Sequence, residues 1–299
     1  MILPLNYYSN RTVMNEILNW CNCHINGIWV SRWIGIYCSG KDSHNGSLMI
    51  RYLKGKPLRI TSISNFKKIQ NILKNRGLRT FYATSNLYFK LDSKADLYNL
   101  NNIYGCMPTW DVDNIYTDWK KTIAVCREIV SFLESNGISK SIILKWSGNG
   151  VHVHIHHEAL SRDLRRRYGP LNLAYSIVEY VIEKLHGKIL EIKGENTSRL
   201  KVENVMDIQR LFTCPLSLHR QLDLVCICFT PNDIDSFNLD WTNPENFRHN
   251  FNWNSFVEGE ADDLALKAIN IIGGYPYKLR RSRKESPVDE MIRRWLEKY

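Results

Sequence analysis

Apolar residues repeat at intervals of three and four along three segments of the chain, which predicts three amphipathic α-helices. Gly77 and Gly137 close two of these segments, at the position where a left-handed residue commonly ends a helix. Pro170 precedes the third, and proline suits the first turn of a helix because its missing N–H is not needed there. The predicted helices span residues 64–77, 117–137 and 171–187.

Shorter segments alternate apolar and polar residues, which is typical of β-strands with one buried face. Gly148, Asn149 and Gly150 separate two of these segments and favour a hairpin turn, since glycine readily adopts positive φ. The predicted strands span residues 78–91, 106–113, 141–148, 151–157, 188–193 and 222–229.

Elements after residue 106 follow the order β-α-β-β-α-β, which predicts an α/β (α+β) fold with a mixed sheet of RRM or palm type and helices on one face. Residues 1–105 are predicted to form an additional N-terminal α/β unit, and residues 106–275 the RRM-like core with a C-terminal extension. Residues 276–299 contain the basic run KLRRSRKESP, which predicts an exposed linker, followed by a terminal helix that docks on its own domain.

The composition is that of a globular protein, with 44% hydrophobic and 23% charged residues. Apolar runs are shorter than the roughly 18 residues that cross a bilayer, and the N-terminus lacks the pattern of a signal peptide. We therefore expect a cytoplasmic protein that makes no membrane contact. The formal net charge of +10 favours a polyanionic partner.

Eight cysteines are scattered along the chain without a disulfide framework, so we expect them to be buried apolar residues in a reducing compartment. Cys21, Cys23, His24 and Cys38 come nearest to a zinc-binding pattern, but their spacing matches no common ligand set. We therefore do not expect a structural zinc site.

Two of the predicted strands carry the candidate chemistry. The side chains of His152, His154 and His156 point to one face of their strand, because successive residues of a strand face opposite sides. The same alternation places Asp111 and Asp113 on one face of theirs. Two carboxylates on one rigid strand are suited to hold Mg²⁺ or Mn²⁺, which prefer hard oxygen ligands.

Two features are expected to be only partly buried. Segment 78–91 is interpreted as a half-buried strand, with a surface that stacks bases and neutralises phosphates as the alternative interpretation. His154, His156 and His157 are interpreted as partly exposed polar residues without a catalytic role.

Three sequence blocks follow one another in the central part of the chain: WDVD (110–113), SGNGVH (147–152) and DIQRLFTCPLSLH (207–219). In residues and spacing they resemble the archaeo-eukaryotic primase superfamily, specifically the archaeal-type small catalytic subunit of DNA primase and its primase-polymerase relatives. The resemblance implies synthesis of short RNA or DNA primers by metal-dependent nucleotidyl transfer. It also implies a single-stranded DNA template, NTPs or dNTPs, two Mg²⁺ or Mn²⁺ ions, and a large primase subunit or replicative helicase as partner.

The same resemblance assigns roles to individual residues. Asp111, Asp113 and Asp207 are implied as catalytic metal ligands, with Glu203 as the competitor of Asp207. His152 is implied as a hydrogen-bond donor to a phosphate oxygen of the nucleotide. The residues implied in nucleotide binding are Ser147, Gly148, His152, Arg210, His219 and Arg220.

This chain departs from the family pattern at the glycine turn and after the last histidine. The turn is one residue shorter than the eukaryotic S-G-R-R-G-V-H, and Asn149 stands where an arginine is expected. Lys145, Arg210 or Arg220 are the candidates to supply the missing positive charge. The lysine of the G-K-T-G that often follows the last histidine is absent after His219, and no cysteine and histidine cluster corresponds to the zinc module of some primases.

Two other functions are compatible with parts of the sequence. In HUH endonucleases a His-hydrophobic-His strand binds the metal, so His152 with His154, or His154 with His156, would be ligands and Tyr175 or Tyr180 the nucleophile. That interpretation leaves the acidic pair unexplained. A non-enzymatic RRM-like nucleic-acid binder is the other alternative, although the acidic pair on its working face would repel phosphates.

Overall fold

The computed structural model describes residues 4–25, 27–40, 48–194 and 198–277. Within these ranges the chain forms eight α-helices and thirteen β-strands, arranged in two larger sheets and one short hairpin. The helices are α1 (Pro4–Tyr7), α2 (Arg11–Cys21), α3 (Ile63–Leu73), α4 (Lys94–Tyr98), α5 (Trp119–Ser135), α6 (Arg162–Tyr168), α7 (Pro170–Lys193) and α8 (Asp262–Ile272). The strands are β1 (Asn22–Ile25), β2 (Ile28–Cys38), β3 (Leu48–Ile50), β4 (Tyr52–Leu53), β5 (Lys56–Pro57), β6 (Leu78–Tyr88), β7 (Ile103–Cys106), β8 (Thr109–Asp113), β9 (Ile142–Trp146), β10 (Val151–Ile155), β11 (Lys201–Glu203), β12 (Leu211–Thr213) and β13 (Ile227–Phe229).

The first sheet has the strand order β1-β2-β6-β12, with β3 paired to β2 and β7 paired to β6. Strand β6 lies at its centre, and all but one of its side chains are buried. Phe81 of β6 stacks on Phe66 of α3, with ring centroids 4.9 Å apart. The strand predicted over residues 78–91 is therefore present, but it is buried on both faces. The half-buried interpretation was wrong for β6 itself, and the exposed residues of the segment are Phe89 and Lys90, just after the strand.

The second sheet has the order β11-β8-β10-β9-β13, and all of its neighbouring strands are antiparallel. Helix α5 connects β8 to β9, and helix α7 lies between β10 and β11, so the first four strands show the β-α-β-β-α-β order of an RRM-like unit. This confirms the predicted fold class, although the sheet is antiparallel rather than mixed.

Helix α7 covers one face of the second sheet. Trp110 of β8 is fully buried on that face, and its Nε1 donates to the carbonyl of Val178 at 3.2 Å. Asp111 and His152 point to the opposite face, where the His152 ring meets Phe212 of β12 with centroids 5.0 Å apart. Because β12 belongs to the first sheet, this face of the second sheet lies against the first. The two sheets therefore enclose the side chains that carry the candidate chemistry.

Two predicted strands differ from the structure. Residues 188–193 belong to the end of α7, because Ile189 and Ile192 continue the apolar stripe of that helix against the core. The segment 106–113 divides at Met107 and Pro108 into the end of β7 and the whole of β8. Pro108 has no N–H for a strand ladder, and the chain passes there from the first sheet to the second.

Seven of the eight cysteines are buried, as predicted, and Cys23 is half-buried. Within the ranges given above, no helix is both long and apolar enough to cross a bilayer. The predicted basic run and terminal helix lie outside the described residues, which end at Tyr277.

Candidate active site

One row of directly opposed residues crosses the second sheet. Asp111 of β8 faces His152 of β10 on one side and Glu203 of β11 on the other. His152 in turn faces Lys145 of β9. Opposed residues of antiparallel strands point to the same face of a sheet. The row therefore brings two carboxylates, an imidazole and an ammonium group to the face that meets the first sheet.

Asp111 is 4% exposed and has a partner at each carboxylate oxygen. His152 Nε2 lies 3.4 Å from Oδ1, and the guanidinium of Arg210 donates to Oδ2. Burial alone would raise the pKa of Asp111, but the hydrogen bond and charge of His152 and the charge of Arg210 lower it to about 2. Burial also lowers the pKa of His152, so His152 is neutral near pH 7 and Arg210 is the lasting cation.

Asp113 lies at the end of β8, two residues beyond Asp111, and is exposed. Desolvation and the negative charge of Asp111 raise the pKa of Asp113 to about 6, and the charge of Glu203 acts in the same direction. Arg210 and Arg220 oppose this rise. The three carboxyl groups therefore interact electrostatically at one edge of the sheet, and they repel one another unless cations lie among them.

The glycines of the turn between β9 and β10 make room for two neighbouring groups. At Gly148, with φ of +127°, an added Cβ would lie 2.4 Å from the His219 ring. At Gly150 it would lie 2.2 Å from the carbonyl oxygen of Val112. Ser147 closes the turn, since its backbone N–H and its hydroxyl both donate to the carbonyl of Gly150. The small residues of the S-G-N-G sequence thus allow this turn to pack closely against His219 and β8.

His219 is oriented as a hydrogen-bond donor. Its Nδ1 accepts the backbone N–H groups of Gln221 and Leu222, at 3.3 and 3.0 Å, so the ring proton is placed on Nε2. Burial and the charges of Arg220 and Arg79 lower the pKa of His219 to about 4. The ring is therefore neutral near pH 7 and carries its proton on Nε2.

Sequence reasoning missed Arg79, which fixes the loop that carries His219 and Arg220. From β6, its guanidinium donates to the carbonyls of His219 and Leu222, at 3.0 and 2.8 Å, and to Asp223 Oδ1 at 2.8 Å. An arginine on a half-buried strand can point to solvent, so its need for partners follows only from the burial of both faces of β6 in the structure.

The two candidates for the third carboxylate have different surroundings. Glu203 stands opposite Asp111 in the strand ladder. Oδ1 of Asp207 accepts the backbone N–H groups of Gln209 and Arg210 and so stabilises the turn that leads into β12. The charge of Glu203 also acts on Asp113.

Lys145 is fully buried, although it was a candidate to supply charge to a nucleotide. Its Nζ lies 4.0 Å from the centroid of the Trp20 ring and has no hydrogen-bond partner in the part of the chain that the structure describes. Desolvation lowers the pKa of Lys145. Arg210 and Arg220 remain as the two candidates that reach the surface.

The remaining histidines are buried rather than partly exposed, so that expectation was wrong. His154 Nδ1 shares a hydrogen bond of 2.7 Å with Thr109 Oγ1. His156 leaves the strand, where its Nε2 hydrogen-bonds to Asn254 at 2.9 Å, and His157 is 1% exposed. The His154 ring lies between the two sheets against Phe212 of β12, whereas His156 and His157 pack on each other, with ring centroids 4.3 Å apart. The alternation of residues in a single strand does not show these contacts.

The tyrosines of the HUH alternative lie on the wrong side of the sheet for that chemistry. Tyr175 and Tyr180 belong to α7, which covers the Trp110 face, whereas His152 and His154 point to the opposite face. The face that an RRM uses to bind RNA is likewise covered here by the first sheet.

The donor set of the row suits a hard divalent cation, because Asp111, Asp113 and Glu203 offer only carboxylate oxygens. The mutual repulsion of these groups is the kind that such an ion relieves. Arg210 now occupies one oxygen of Asp111, and the residues described by the structure contain no ready-made group of three or more metal-ligating side chains. Metal binding therefore requires Arg210 to turn away from Asp111.

Neither the known protein-family models nor the curated proteins gave a match to this sequence. A solved structure that does match is the polymerase domain of Mycobacterium tuberculosis ligase D in complex with DNA, with a TM-score of 0.52. The two chains are 11% identical, and the alignment covers 95% of this chain and 92% of that one. At this identity the likeness concerns the fold, so the chain has the fold of a ligase D polymerase domain.

Proposed function

We propose that the protein is a nucleotidyltransferase of the primase-polymerase type, which builds an RNA or DNA chain on a single-stranded DNA template. The observation that carries the proposal is the contact of Asp111 with His152 across adjacent strands, beside a glycine turn that packs on His219. All three sequence blocks thus contribute to one cluster. The fold shared with a polymerase domain supports the same conclusion.

Asp111, Asp113 and Glu203 are the proposed metal ligands. Glu203 takes precedence over Asp207 because it stands opposite Asp111, whereas Asp207 is engaged in its own turn. Mg²⁺ or Mn²⁺ held there would supply Lewis-acid stabilisation of charge on the phosphate oxygens.

The remaining residues of the cluster bind and orient the triphosphate. The Nε2–H of neutral His219 donates to a phosphate oxygen, and Ser147 and Gly148 shape the turn against which the phosphates lie. Arg210 has a side chain that is 41% exposed, so it can exchange Asp111 for a phosphate. Arg220 is exposed and its charge, like that of Arg210, acts on Asp113, so it offsets the charge of the pyrophosphate. The 3′ hydroxyl of the growing chain then gives up its proton to water as its oxygen bonds to the α-phosphorus and the bond to pyrophosphate breaks.

The proposal extends to the organisation of the chain and its partners. Residues 106–275 supply most of the catalytic cluster, and residues 1–105 form the N-terminal unit that packs on it. A large primase subunit or a replicative helicase is the class of partner that the sequence resemblance implies.

Primer synthesis tests the proposal directly. The native protein is incubated with a single-stranded DNA template, labelled NTPs or dNTPs, and Mg²⁺ or Mn²⁺ in turn. We expect metal-dependent products, and we expect Asp111→Asn to lower their rate by at least about a hundredfold. Asp240→Asn, which changes an exposed aspartate outside the cluster, is the matched control and should retain the native rate. A native protein that makes no product with either metal would exclude the assignment.

Metal binding distinguishes the two candidates for the third carboxylate. Titration of the protein with Mn²⁺, followed by electron paramagnetic resonance, should show weaker binding for Glu203→Gln and native binding for Asp207→Asn. The reverse order would restore Asp207 to the metal site and remove Glu203.

A further inference from the structure

A cavity of about 750 Å³ lies at the end of the second sheet away from Asp113. It is lined by Ile103 and Tyr104 of β7, by Glu158 just after β10, and by the whole arginine-rich side of α6. His152 and the end of β10 are three strand residues apart, which is about 10 Å, and the cavity begins beyond that end. It is therefore separate from the proposed nucleotidyl-transfer site, and its volume is in the range of ligand-binding cavities.

Arginines supply the charge of this cavity. Arg162, Arg166 and Arg167 of α6 line it and are exposed, and none of them forms an ion pair within the described ranges. Arg165 is buried instead, where its guanidinium donates to both carboxylate oxygens of Glu158 at 2.8 and 2.9 Å. That pair neutralises one of the two acidic residues of the lining and fixes α6 in place. Three arginines are left to meet anions.

Exposed aromatic rings share the wall with these arginines. Phe89, Phe256 and Tyr277 are 49%, 41% and 43% exposed, and all three line the same cavity. Each ring is held in position by a neighbour. Phe256 lies parallel on His156 with centroids 4.5 Å apart, Phe89 packs edge-on to Tyr104 at 5.3 Å, and the Tyr277 hydroxyl donates to Asn172.

We propose that this cavity binds a segment of single-stranded nucleic acid, with bases stacked on the exposed rings and phosphates paired with the three arginines. Aromatic platforms beside arginine side chains are the combination by which proteins hold single strands without sequence preference. An acidic protein segment would use the arginines but leave the rings without partners, and an apolar partner would do the opposite. The inference does not depend on nucleotidyl transfer, because it concerns binding alone.

Binding of a fluorescein-labelled 12-nucleotide oligothymidylate, measured by anisotropy over a series of salt concentrations without metal or nucleotide, tests the proposal. The variant Arg162→Gln/Arg166→Gln/Arg167→Gln should bind at least about tenfold more weakly at low salt. The slope of log K against log salt should fall in magnitude by about 2, since each phosphate contact with a single strand contributes roughly 0.7. An oligouridylate of the same length should respond in the same way.

The control removes three positive charges elsewhere. Lys67→Gln/Lys68→Gln/Lys74→Gln changes exposed lysines on α3 and the turn after it, and should keep the native slope. If it weakens binding as much as the arginine variant, the effect is one of net charge and the proposal fails. Native affinity and slope in the arginine variant would also overturn it, and would assign the cavity to another class of ligand.

A single substitution at Phe89 tests the proposal if the triple arginine variant does not fold. Phe89→Leu retains apolar contact with Tyr104 but removes the stacking face. It should weaken oligonucleotide binding about tenfold, because stacking contributes roughly 1–3 kcal/mol per base, while the salt slope stays native. Unchanged affinity in a folded Phe89→Leu protein would contradict stacking in this cavity.

Discussion

Replacing Lys145 with methionine is expected to stabilise the fold. The ammonium group is fully buried and has no hydrogen-bond partner within the described residues. A cation–π contact with Trp20, whose ring centroid lies 4.0 Å from Nζ, partly offsets the loss of hydration. Methionine has a similar length and volume and no group that must be solvated. Lys145→Met therefore removes a desolvation cost while keeping the packing between the sheets.

The size of the effect follows from the two opposing contributions. A buried charged group without a partner costs about 3–5 kcal/mol. A desolvated cation on an aromatic face regains about 2 kcal/mol. We expect Lys145→Met to raise the free energy of unfolding by about 1–3 kcal/mol, which corresponds to a Tm higher by roughly 2–4 °C for each kcal/mol.

The effect should depend on pH in a definite direction. Desolvation lowers the pKa of Lys145 in the folded state, whereas an unfolded lysine titrates near about 10.4. Between these two pKa values the unfolded chain binds a proton that the folded one does not, so the stability of the native protein rises with pH. Lys145→Met lacks this titration, and its advantage should shrink as the pH approaches 10.4.

Urea unfolding of both proteins at pH 7, 8.5 and 10 measures this difference. Lys120→Met, at an exposed position of α5, is the control and should change stability by less than about 0.5 kcal/mol at every pH. A Lys145→Met protein that is less stable than the native one, or whose difference does not vary with pH, would refute the reasoning. A more stable but inactive variant would show that Lys145 is retained for chemistry.

Two further substitutions have definite expected outcomes. Gly148→Ala should lower the free energy of unfolding by about 2–4 kcal/mol in urea titrations, because the added Cβ meets the ring of His219. Gly137→Ala is the control, since φ is +85° there but nothing lies within 4 Å of the added Cβ. It should lower the free energy of unfolding by only about 1–2 kcal/mol. Glu260→Gln should cost about 1–3 kcal/mol at pH 7, since the carboxylate accepts three backbone N–H groups of residues 139–141 at 2.9 Å. Burial alone would raise the pKa of Glu260, but these hydrogen bonds lower it. Their contribution to the free energy of unfolding is therefore fully present above pH 4.5 and is lost as the pH falls through the folded-state pKa. The difference in stability between the native protein and Glu260→Gln should vanish over the same range. A Glu260→Gln deficit that persists at low pH would contradict this account.

The sequence predicted the second sheet well because its signals are local. Alternation placed Asp111 and His152 on polar faces of their strands, and the strand ladder sets them opposite each other. The glycine turn and the helix beginning at Pro170 were likewise found from neighbouring residues. The roles of these residues stay predictions until they are measured.

Long-range packing accounts for what the sequence did not predict. Residues 188–193 alternate like a strand, but their apolar positions also fit the stripe of α7, and packing against the core decided the outcome. The burial of His154 and the isolation of Lys145 depend on how the two sheets meet, which no periodicity encodes. The preference for Glu203 over Asp207 rests on strand register, which spacing along the chain leaves open.

Strand β12 makes the two halves of the polypeptide topologically inseparable. It follows all four strands of the RRM-like unit in the chain, yet it pairs with β6, between Leu211 and Thr84 and onward to Thr213 and Tyr82. A fragment that stops at residue 105 would leave residues 82–84 of β6 without their ladder, and unpaired edges of this kind recruit other chains. Expression of the halves as separate pieces is thus expected to yield aggregates, whereas co-expression gives each piece the strand that the other holds.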